Sequence, residues 1–455
     1  MGCLMTRSTA VVFIAYLPLL GCAKPALEAP DPEGIPPANV VPDRRPEVRR
    51  TTAGEDITQL VRNQNAPGSE PPAPKRKGVA APTSLRPSVR RTRDGFVARL
   101  PGARSVPTPA YYRGRIYTGG YGAYEMHAIS ATTGARAWSL HLSDDGPTDP
   151  ACQDGICVFN TYSCTMFGVD AETGRHLWSW YLGSPQLATP IIAGDTVYTS
   201  YPERGSGAVA PYALAAFDLK TGAPRWRRWI DAEVNSTPVA YGGHVYVATR
   251  LGTLYEFAAK DGAVVAAWQN RIASPPVLMA EGVIFGRDEA EQRDNDMLVT
   301  SRVLFPYLET VDAPRRAVKP QPRPLVARNR MIRIEKGVVV ATERRTGRRL
   351  WQHRLSSEHP ADVPAPLLYA GDSILLATSG GNVLRLTPET GEVISTFLLG
   401  QGPLASQPIA AKGWIYAGTN AGSVVAFDTG APELTGWEML GGGPDRRGSA
   451  DTEGT

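Results

Sequence analysis

The residues best suited to covalent chemistry are three cysteines in the middle of the chain, Cys152, Cys157 and Cys164. Between the first two lies Asp154-Gly155, a favoured pair for a two-residue hairpin turn. Such a turn places Cys152 opposite Cys157 in a non-hydrogen-bonded pair, with Cα atoms about 4.5 Å apart. The sequence therefore predicts a Cys152–Cys157 disulfide in an oxidising compartment. The alternative is three reduced cysteines that pack as small core residues, and no partnered histidine supports a catalytic thiol.

Other side chains that could bind a metal or a cofactor are scattered. The six histidines form no cluster, and the net charge of +4 is spread along the chain, which argues against nucleic acid as a partner. The one dense acidic stretch comprises Asp288, Glu289, Glu291, Asp294 and Asp296. Because it contains Arg287 and Arg293 and lacks the spacing of a calcium loop, we interpret it as a solvated loop, with a metal site as the alternative. We predict no catalytic, cofactor-binding or metal-binding residue, no cofactor and no small-molecule substrate.

The first 22 residues have the pattern of an export signal. Arg7 precedes an apolar run, which is followed by Leu19-Leu20-Gly21-Cys22. This tetrapeptide resembles the bacterial lipobox, which implies lipidation of Cys22. The alternative is an ordinary secretory signal that happens to contain a cysteine. Ala23 follows, where an Asp would typically retain a lipoprotein in the inner membrane, so the resemblance implies an outer-membrane lipid anchor facing the periplasm.

Residues 23–92 have the composition of a tether. They contain thirteen prolines and basic clusters at Lys75-Arg76-Lys77 and from Arg86 to Arg93. Such a segment buries too little apolar surface to offset its ordering entropy. We therefore predict a disordered Pro/Arg-rich tether.

From residue 93 to residue 448 the sequence repeats about every 42 residues. Each repeat opens with a proline, at Pro109, Pro150, Pro190, Pro238, Pro276, Pro324, Pro366 and Pro408. A second β-rich run follows, centred on Ile116, Cys157, Val197, Val245, Val283, Met331, Ile374 and Ile415. This period with short strands is typical of β-propeller blades. The sequence predicts an all-β, eight-bladed propeller of four-stranded blades, and a flexible tail over 449–455.

Most repeats then carry a Thr-Gly turn and an aromatic residue. Glycine allows the positive φ of a tight turn, and the aromatic ring is expected to pack between blades. The predicted blade-docking residues are Trp138, Trp178, Trp226, Trp268, Trp351 and Trp437. The fifth repeat has lost both the turn glycine and the aromatic residue. The segment from Asp94 to Leu100 has the pattern of an outer strand but precedes the first repeat, so we expect it to complete the last blade.

The unit from Asp170 to Trp178 resembles the tryptophan-docking repeat of quinoprotein-like (PQQ-like) propellers, and the segment from Trp437 to Gly448 resembles a second signature of these proteins. One branch of this family contains dehydrogenases that bind a quinone and calcium and generally have an adjacent Cys-Cys pair, which this sequence lacks. Another branch contains scaffold lipoproteins of the outer-membrane β-barrel assembly machinery (BamB-type). The resemblance implies a non-enzymatic scaffold that binds envelope or outer-membrane proteins. A quinone-dependent dehydrogenase and a saccharide- or peptidoglycan-binding sensor remain alternatives.

Three long segments are expected on one face of the propeller, where the loops between second and third strands and the blade-to-blade connections emerge. Long loops on a rigid scaffold commonly carry recognition, and Tyr and Arg are frequent hot spots. The predicted partner-face residues are Tyr201, Arg204, Tyr212, Arg287, Asp288, Tyr307, Arg315 and Arg316. The alternative is that these are tolerated insertions without a partner.

The lipobox resemblance makes a direct prediction. Replacing Cys22→Ser removes the thiol that would be acylated, so we expect loss of lipid labelling and release of the protein from membranes in low-salt extracts. Metabolic labelling with a palmitate analogue and membrane fractionation measure both effects. A variant that still fractionates with the outer membrane would show that the anchor is not at Cys22.

Overall fold

A computed structural model describes residues 70–438 except 72, 77, 163–164, 183–188, 203–211, 231, 233, 235–236, 250–252, 270–276, 280–281, 286–296, 301–302, 305–323, 336–337, 344–345, 355–366, 379, 401, 403 and 405. The described part consists of strands and turns, and it contains no helix that could cross a membrane. The strands are β1 (Ala80–Pro82), β2 (Ser88–Thr92), β3 (Gly95–Arg99), β4 (Ala110–Tyr112), β5 (Arg115–Gly119), β6 (Glu125–Ser130), β7 (Arg136–Leu142), β8 (Ala151–Gln153), β9 (Ile156–Asn160), β10 (Thr165–Asp170), β11 (His176–Tyr181), β12 (Ile191–Ala193), β13 (Thr196–Pro202), β14 (Tyr212–Asp218), β15 (Pro224–Ile230), β16 (Val239–Tyr241), β17 (His244–Ala248), β18 (Thr253–Ala258), β19 (Val264–Gln269), β20 (Val277–Met279), β21 (Gly282–Phe285), β22 (Met297–Thr300), β23 (Val303–Leu304), β24 (Leu325–Ala327), β25 (Arg330–Glu335), β26 (Val338–Glu343), β27 (Arg349–Arg354), β28 (Leu368–Ala370), β29 (Ser373–Ala377), β30 (Asn382–Leu386), β31 (Val393–Leu398), β32 (Ile409–Ala411), β33 (Trp414–Gly418), β34 (Ser423–Asp428) and β35 (Gly436–Glu438).

These strands form antiparallel sheets that follow one another along the chain as blades. The sheets are blade 1 (β4–β7, with β1 outside β7), blade 2 (β8–β11), blade 3 (β12–β15), blade 4 (β16–β19), blade 5 (β20–β23), blade 6 (β24–β27), blade 7 (β28–β31, with β35 beside β28) and blade 8 (β32–β34 and β3, with β2 outside β3). First strands of neighbouring blades contact one another in blades 1 to 3 and 4 to 7, strand β35 contacts both β28 and β32, and β32 of blade 8 contacts β4 of blade 1. An all-β propeller of four-stranded blades is therefore confirmed.

The structure describes seven blades with their side chains. The repeat count predicts eight complete blades. Blade 5 is described by its backbone alone, and its four strands contain only two to four residues each. It corresponds to the repeat without a turn glycine and a docking aromatic residue. In other blades a turn glycine and an aromatic ring form the contact between neighbours, and this repeat lacks both.

The repeat positions fall at equivalent places in the strands. Each repeat proline directly precedes the first strand of its blade, except in blade 7, where Leu367 stands between Pro366 and β28. This extra residue explains why the spacing of the seventh repeat slips by one. Proline is suited to this position because the residue before a strand needs to donate no ladder hydrogen bond.

The core lies between the blades. Buried apolar side chains of adjacent blades form shared clusters, such as the one that joins Trp178 and Val158 of blade 2 to Val197 and Phe217 of blade 3. Because a four-stranded sheet has two faces to bury, each blade is stable only when both neighbours are present.

A tryptophan–glycine joint connects successive blades. In blade 2, the Trp178 ring lies against Gly222 in the turn of blade 3, and its Nε1 donates a hydrogen bond to the carbonyl of Leu219 at 3.0 Å. The glycine of the turn has a positive φ, and the acceptor carbonyl precedes it by three residues. The same joint recurs for Trp138 on Gly174, Trp226 on Gly262 and Trp351 on Gly391. Trp268 lies in β19, and its side chain is outside the described residues.

The two ends of the propeller sequence meet in blade 8. As predicted for the segment from Asp94 to Leu100, β3 pairs with β34 as the fourth strand, with Phe96 opposite Ala426. Phe96 packs against Gly134 of blade 1 and so occupies the place of the docking tryptophan. Trp437 lies in β35, which pairs with the first strand of blade 7 and is not an outer strand. Its side chain lies outside the described residues, so its docking role stays a prediction.

Residues 70–92 lie along the outside of the ring, and we call them the strap. The strap adds β2 to blade 8 and β1 to blade 1, and its Lys75 bridges to Tyr181 at the edge of blade 2. Glu70 accepts hydrogen bonds from Arg227 and Arg228 of blade 3, both at 3.1 Å. The predicted disordered tether is therefore wrong for residues 70–92, because composition does not reveal backbone pairing with exposed strand edges. Residues 23–69 lie outside the described residues.

The tryptophan–glycine joint predicts that an alanine substitution destabilises the protein more at Gly222 than at Gly194. A Cβ added at Gly222 would lie 2.5 Å from the Trp178 ring, whereas at Gly194 it would meet no atom within 4 Å. Both glycines have a positive φ, so either alanine variant should lose about 1 kcal/mol of unfolding free energy through backbone strain. We expect Gly222→Ala to lose roughly 1–3 kcal/mol more, from steric overlap. Denaturant unfolding of both variants measures this difference, and equal losses would contradict the joint.

Candidate interaction surface

Most of the predicted partner-face residues lie outside the described residues. These are Arg204, Arg287, Asp288, Tyr307, Arg315 and Arg316. Tyr212 is partly exposed at the start of β14. Tyr201 is only 2% exposed and packs in the core between blades 2 and 3, so its prediction as a partner contact is wrong. Strand β13 extends two residues beyond the second strands of blades 1 and 2, which carries Tyr201 into the sheet instead of the loop.

Three other tyrosines lie on the face where the second-to-third-strand loops emerge, which we call the loop face. Tyr121 belongs to the loop of blade 1 and Tyr162 to the loop of blade 2, and their ring centroids are 4.8 Å apart. Tyr124, also in the blade 1 loop, is 49% exposed. These residues form an aromatic surface across the boundary between blades 1 and 2.

Blade-to-blade connections hold the tyrosine loops in place. The backbone N–H of Tyr121 donates to the carbonyl of Ser105 at 2.9 Å, and the N–H of Tyr162 donates to the carbonyl of Asp145 at 2.8 Å. Loops fixed by such hydrogen bonds lose little conformational entropy when they bind a partner.

The sequence contains a signal for this surface that loop length does not reveal. Tyr121 and Tyr162 each follow their repeat proline by twelve residues, so they occupy the same position in the first two repeats. A long loop changes the length of its repeat, whereas a shared tyrosine in a short loop becomes apparent only when the repeats are aligned by position.

Two acidic side chains lie beside the tyrosines. The Asp144 carboxylate accepts hydrogen bonds from the hydroxyls of Thr161 and Thr165. Burial raises the pKa of Asp145, and backbone N–H groups of Gly122 and Gly146 oppose this shift. This surface therefore offers aromatic rings and hydrogen-bond acceptors. Within the described ranges, no group of three or more His, Cys, Asp or Glu side chains is arranged to hold a metal ion.

Two buried titratable groups lie inside the blades. Burial lowers the pKa of His127 in β6 to about 4, and its Nδ1 lies 2.8 Å from the Ser139 hydroxyl. Burial raises the pKa of Glu256 in β18, which Tyr246 and His244 contact at 3.0 and 2.7 Å. Both groups are internal to a sheet, which gives them a structural role and not a position in a binding site.

The cysteines of blade 2 are joined as the hairpin register requires. Cys152 in β8 pairs with Cys157 in β9, their Cα atoms are 4.1 Å apart, and a disulfide links them. Asp154 and Gly155 in the turn both have a positive φ. Cys164 and Cys22 lie outside the described residues.

A family model described as "Outer membrane protein assembly factor BamB" matches residues 98–212, 208–284 and 308–451, which is more than half of the chain. The chain belongs to this family. The matched ranges run through blades 1 to 8, so the resemblance covers the propeller and not the strap.

Individual relatives are distant. Over 183 residues the chain is 25% identical to a tetrathionate hydrolase of Acidithiobacillus ferrooxidans, in an alignment that covers 36% of each protein. Over 202 residues it is 24% identical to the outer membrane protein assembly factor BamB of Shewanella oneidensis, covering 42% of this chain and 50% of that protein. The aligned part thus spans between a third and a half of each relative.

A solved structure shares the architecture. Sqt1 of Saccharomyces cerevisiae superposes with a TM-score of 0.57 over 72% of this chain and 97% of that chain, at 9% identity. At this identity the similarity shows the fold alone.

The lowered pKa of His127 predicts a pH-dependent stability. The unfolded chain protonates this imidazole near pH 6.5 and the folded chain only near pH 4, so the unfolded state binds more protons between these values. Stability contributed by His127 is fully present above pH 6.5 and is lost as the pH falls towards 4, by roughly 3 kcal/mol.

Denaturant unfolding between pH 7.5 and pH 4, compared between the parent chain and His127→Asn, isolates this contribution. We expect the parent chain to lose more stability than the variant over this interval. Parallel pH profiles would show that His127 is not held neutral.

Proposed function

We propose that this protein is a non-enzymatic scaffold that binds envelope or outer-membrane proteins during their assembly. In this proposal a lipid on Cys22 holds it to the outer membrane, facing the periplasm. Membership of the BamB family supports the role in outer-membrane protein assembly.

The observation that carries the proposal is the tyrosine surface on the loop face. Tyrosine contributes a large contact area and a hydroxyl with little entropic cost, and it is enriched at binding hot spots. The boundary between blades 1 and 2 is braced by the Trp138–Gly174 joint and by the Cys152–Cys157 disulfide within blade 2. A rigid base of this kind fixes the tyrosines in position before a partner binds.

The long loops belong to the same proposal. The segments 203–211, 287–296 and 307–323 lie outside the described residues. We propose that they extend the binding surface beyond the tyrosines. Replacement of 288–296 and 309–321 by short Gly-Ser links should leave thermal unfolding nearly unchanged and reduce partner capture. Unchanged capture would restrict the partner surface to blades 1 and 2.

Similarity to a tetrathionate hydrolase supports a second candidate, hydrolysis of a sulfur compound. Purified protein incubated with tetrathionate distinguishes the two. Consumption of tetrathionate above the buffer rate would contradict the non-enzymatic proposal.

Site-specific photocrosslinking tests the scaffold function. A photoreactive phenylalanine analogue at Tyr124 should capture outer-membrane assembly proteins in intact envelopes, whereas the same analogue at Thr390, exposed on the opposite face, is the matched control. Adding Tyr121→Ser should weaken capture about tenfold, because loss of a hot-spot side chain typically costs more than 1 kcal/mol. Equal capture from both faces, or capture only of abundant unrelated proteins, would contradict the proposal.

A further inference from the structure

The outer edge of blade 7 is apolar and exposed. Its outermost strand, β31, pairs with β30 on one side, and no other described strand pairs with it on the other. Three of its side chains are exposed: Val393 by 42%, Ile394 by 51% and Leu398 by 67%. Outside the strap, the only other large apolar side chain with such exposure in the described part of the chain is Tyr124.

Most other described blade edges are protected in one of two ways. The outermost strand of blade 4, β19, is uncharged like β31, but its side chains Val264, Ala266 and Ala267 are at most 8% exposed. The strap covers the edges of blades 8, 1 and 2 by adding β2, β1 and the Lys75 bridge. The edge strand β27 of blade 6 carries Arg349 and Arg354, and β15 of blade 3 carries Arg227 and Arg228. Charges and covering segments are the usual means of preventing edge-to-edge pairing. Strand β31, with the sequence VISTFL, has neither.

We propose that β31 pairs with β31 of a second copy of this chain. The two strands run antiparallel about a two-fold axis at Thr396, so that two blades 7 form one continuous sheet. This homodimer goes beyond the proposed scaffold function and does not depend on it.

The sequence of the strand fits its own antiparallel copy. When Thr396 lies opposite Thr396 of the second copy, Ile394 lies opposite Leu398 of the second copy. On the other side of the axis, Leu398 lies opposite Ile394 of the second copy. Ile394, Thr396 and Leu398 stand at alternate positions of the strand and share its exposed face, whereas Phe397 between them points to the buried face. The pairing therefore buries four apolar side chains around a central threonine pair, a combination that favours cross-strand contact.

Charge also permits this register. Glu392 precedes the strand and would lie opposite Gly400 of the second copy, so self-pairing brings no like charges opposite each other. If β27 or β15 paired with the same strand of a second copy, its arginines would lie close to the arginines of that copy. Among the outermost strands whose side chains are described, β31 is thus the one that combines exposed apolar side chains with no charged residue.

A single self-complementary edge in each copy gives a closed two-fold dimer instead of an open chain. Stable interfaces bury about 1,200–2,000 Å² in total, more than a six-residue strand edge provides. We therefore expect a weak, reversible dimer that is populated at roughly tens of micromolar protein.

Sedimentation velocity of the full chain in a mild detergent, over a range of concentrations, tests the dimer. Leu398→Lys should raise the dimer dissociation constant at least tenfold. Val79→Lys is the matched control, because Val79 is 69% exposed on the strap, away from blade 7. The control should dimerise like the parent chain.

A cysteine at the axis tests the register. In Thr396→Cys the two Cα atoms would be about 4.5–5.5 Å apart, within the range for a disulfide, so oxidation should link two chains. In Ser395→Cys the equivalent atoms would be about 7–8 Å apart and should not link. The parent chain controls for its own cysteines.

A monomer at all concentrations overturns the proposal, and the exposed edge would then need a strand from another protein. A dimer that is insensitive to Leu398→Lys, or that links through residue 395 and not through residue 396, overturns the proposed surface or its register.

Discussion

Neighbouring blades are joined where an indole ring lies against the turn glycine of the next blade, and the ring architecture depends on this contact. In the Trp178–Gly222 joint, the indole covers a position that admits no Cβ, and its N–H pairs with a carbonyl that the turn leaves free. A single contact thus buries apolar area, satisfies a buried polar group and fixes the spacing between sheets. Repetition of the joint turns marginal four-stranded sheets into a rigid ring, since each sheet needs both neighbours to bury its faces.

Each blade of the ring has an outermost strand with a free edge, and only some of these edges are covered by another segment of the chain. The strap supplies backbone partners to blades 8, 1 and 2, and its Glu70 pairs with two arginines of blade 3. Glu70, the first described residue, thus lies at the outside of blade 3.

The two faces of the ring suit different tasks. On one face the turns are short and are occupied by inter-blade joints, so substitutions there affect stability. The loop face holds Tyr121, Tyr124 and Tyr162 on connections that need not pack against a neighbouring sheet. The division between a structural face and a recognition face is common in repeat proteins, because loops can vary without disturbing the core.

Sequence alone determined the features that short motifs encode. The proline spacing predicted the first strands, the Asp154-Gly155 turn predicted which cysteines pair, and the Thr-Gly-aromatic pattern predicted the joints, because each motif is local and the joint motif recurs in successive repeats. Only the tertiary structure decided what distant segments do. It placed residues 70–92 on the blade edges, put Phe96 in the position of a docking tryptophan and paired β35 with the first strand of blade 7. Backbone hydrogen bonds form these pairings, and they are nearly independent of side-chain identity, so composition and periodicity carry no signal for them.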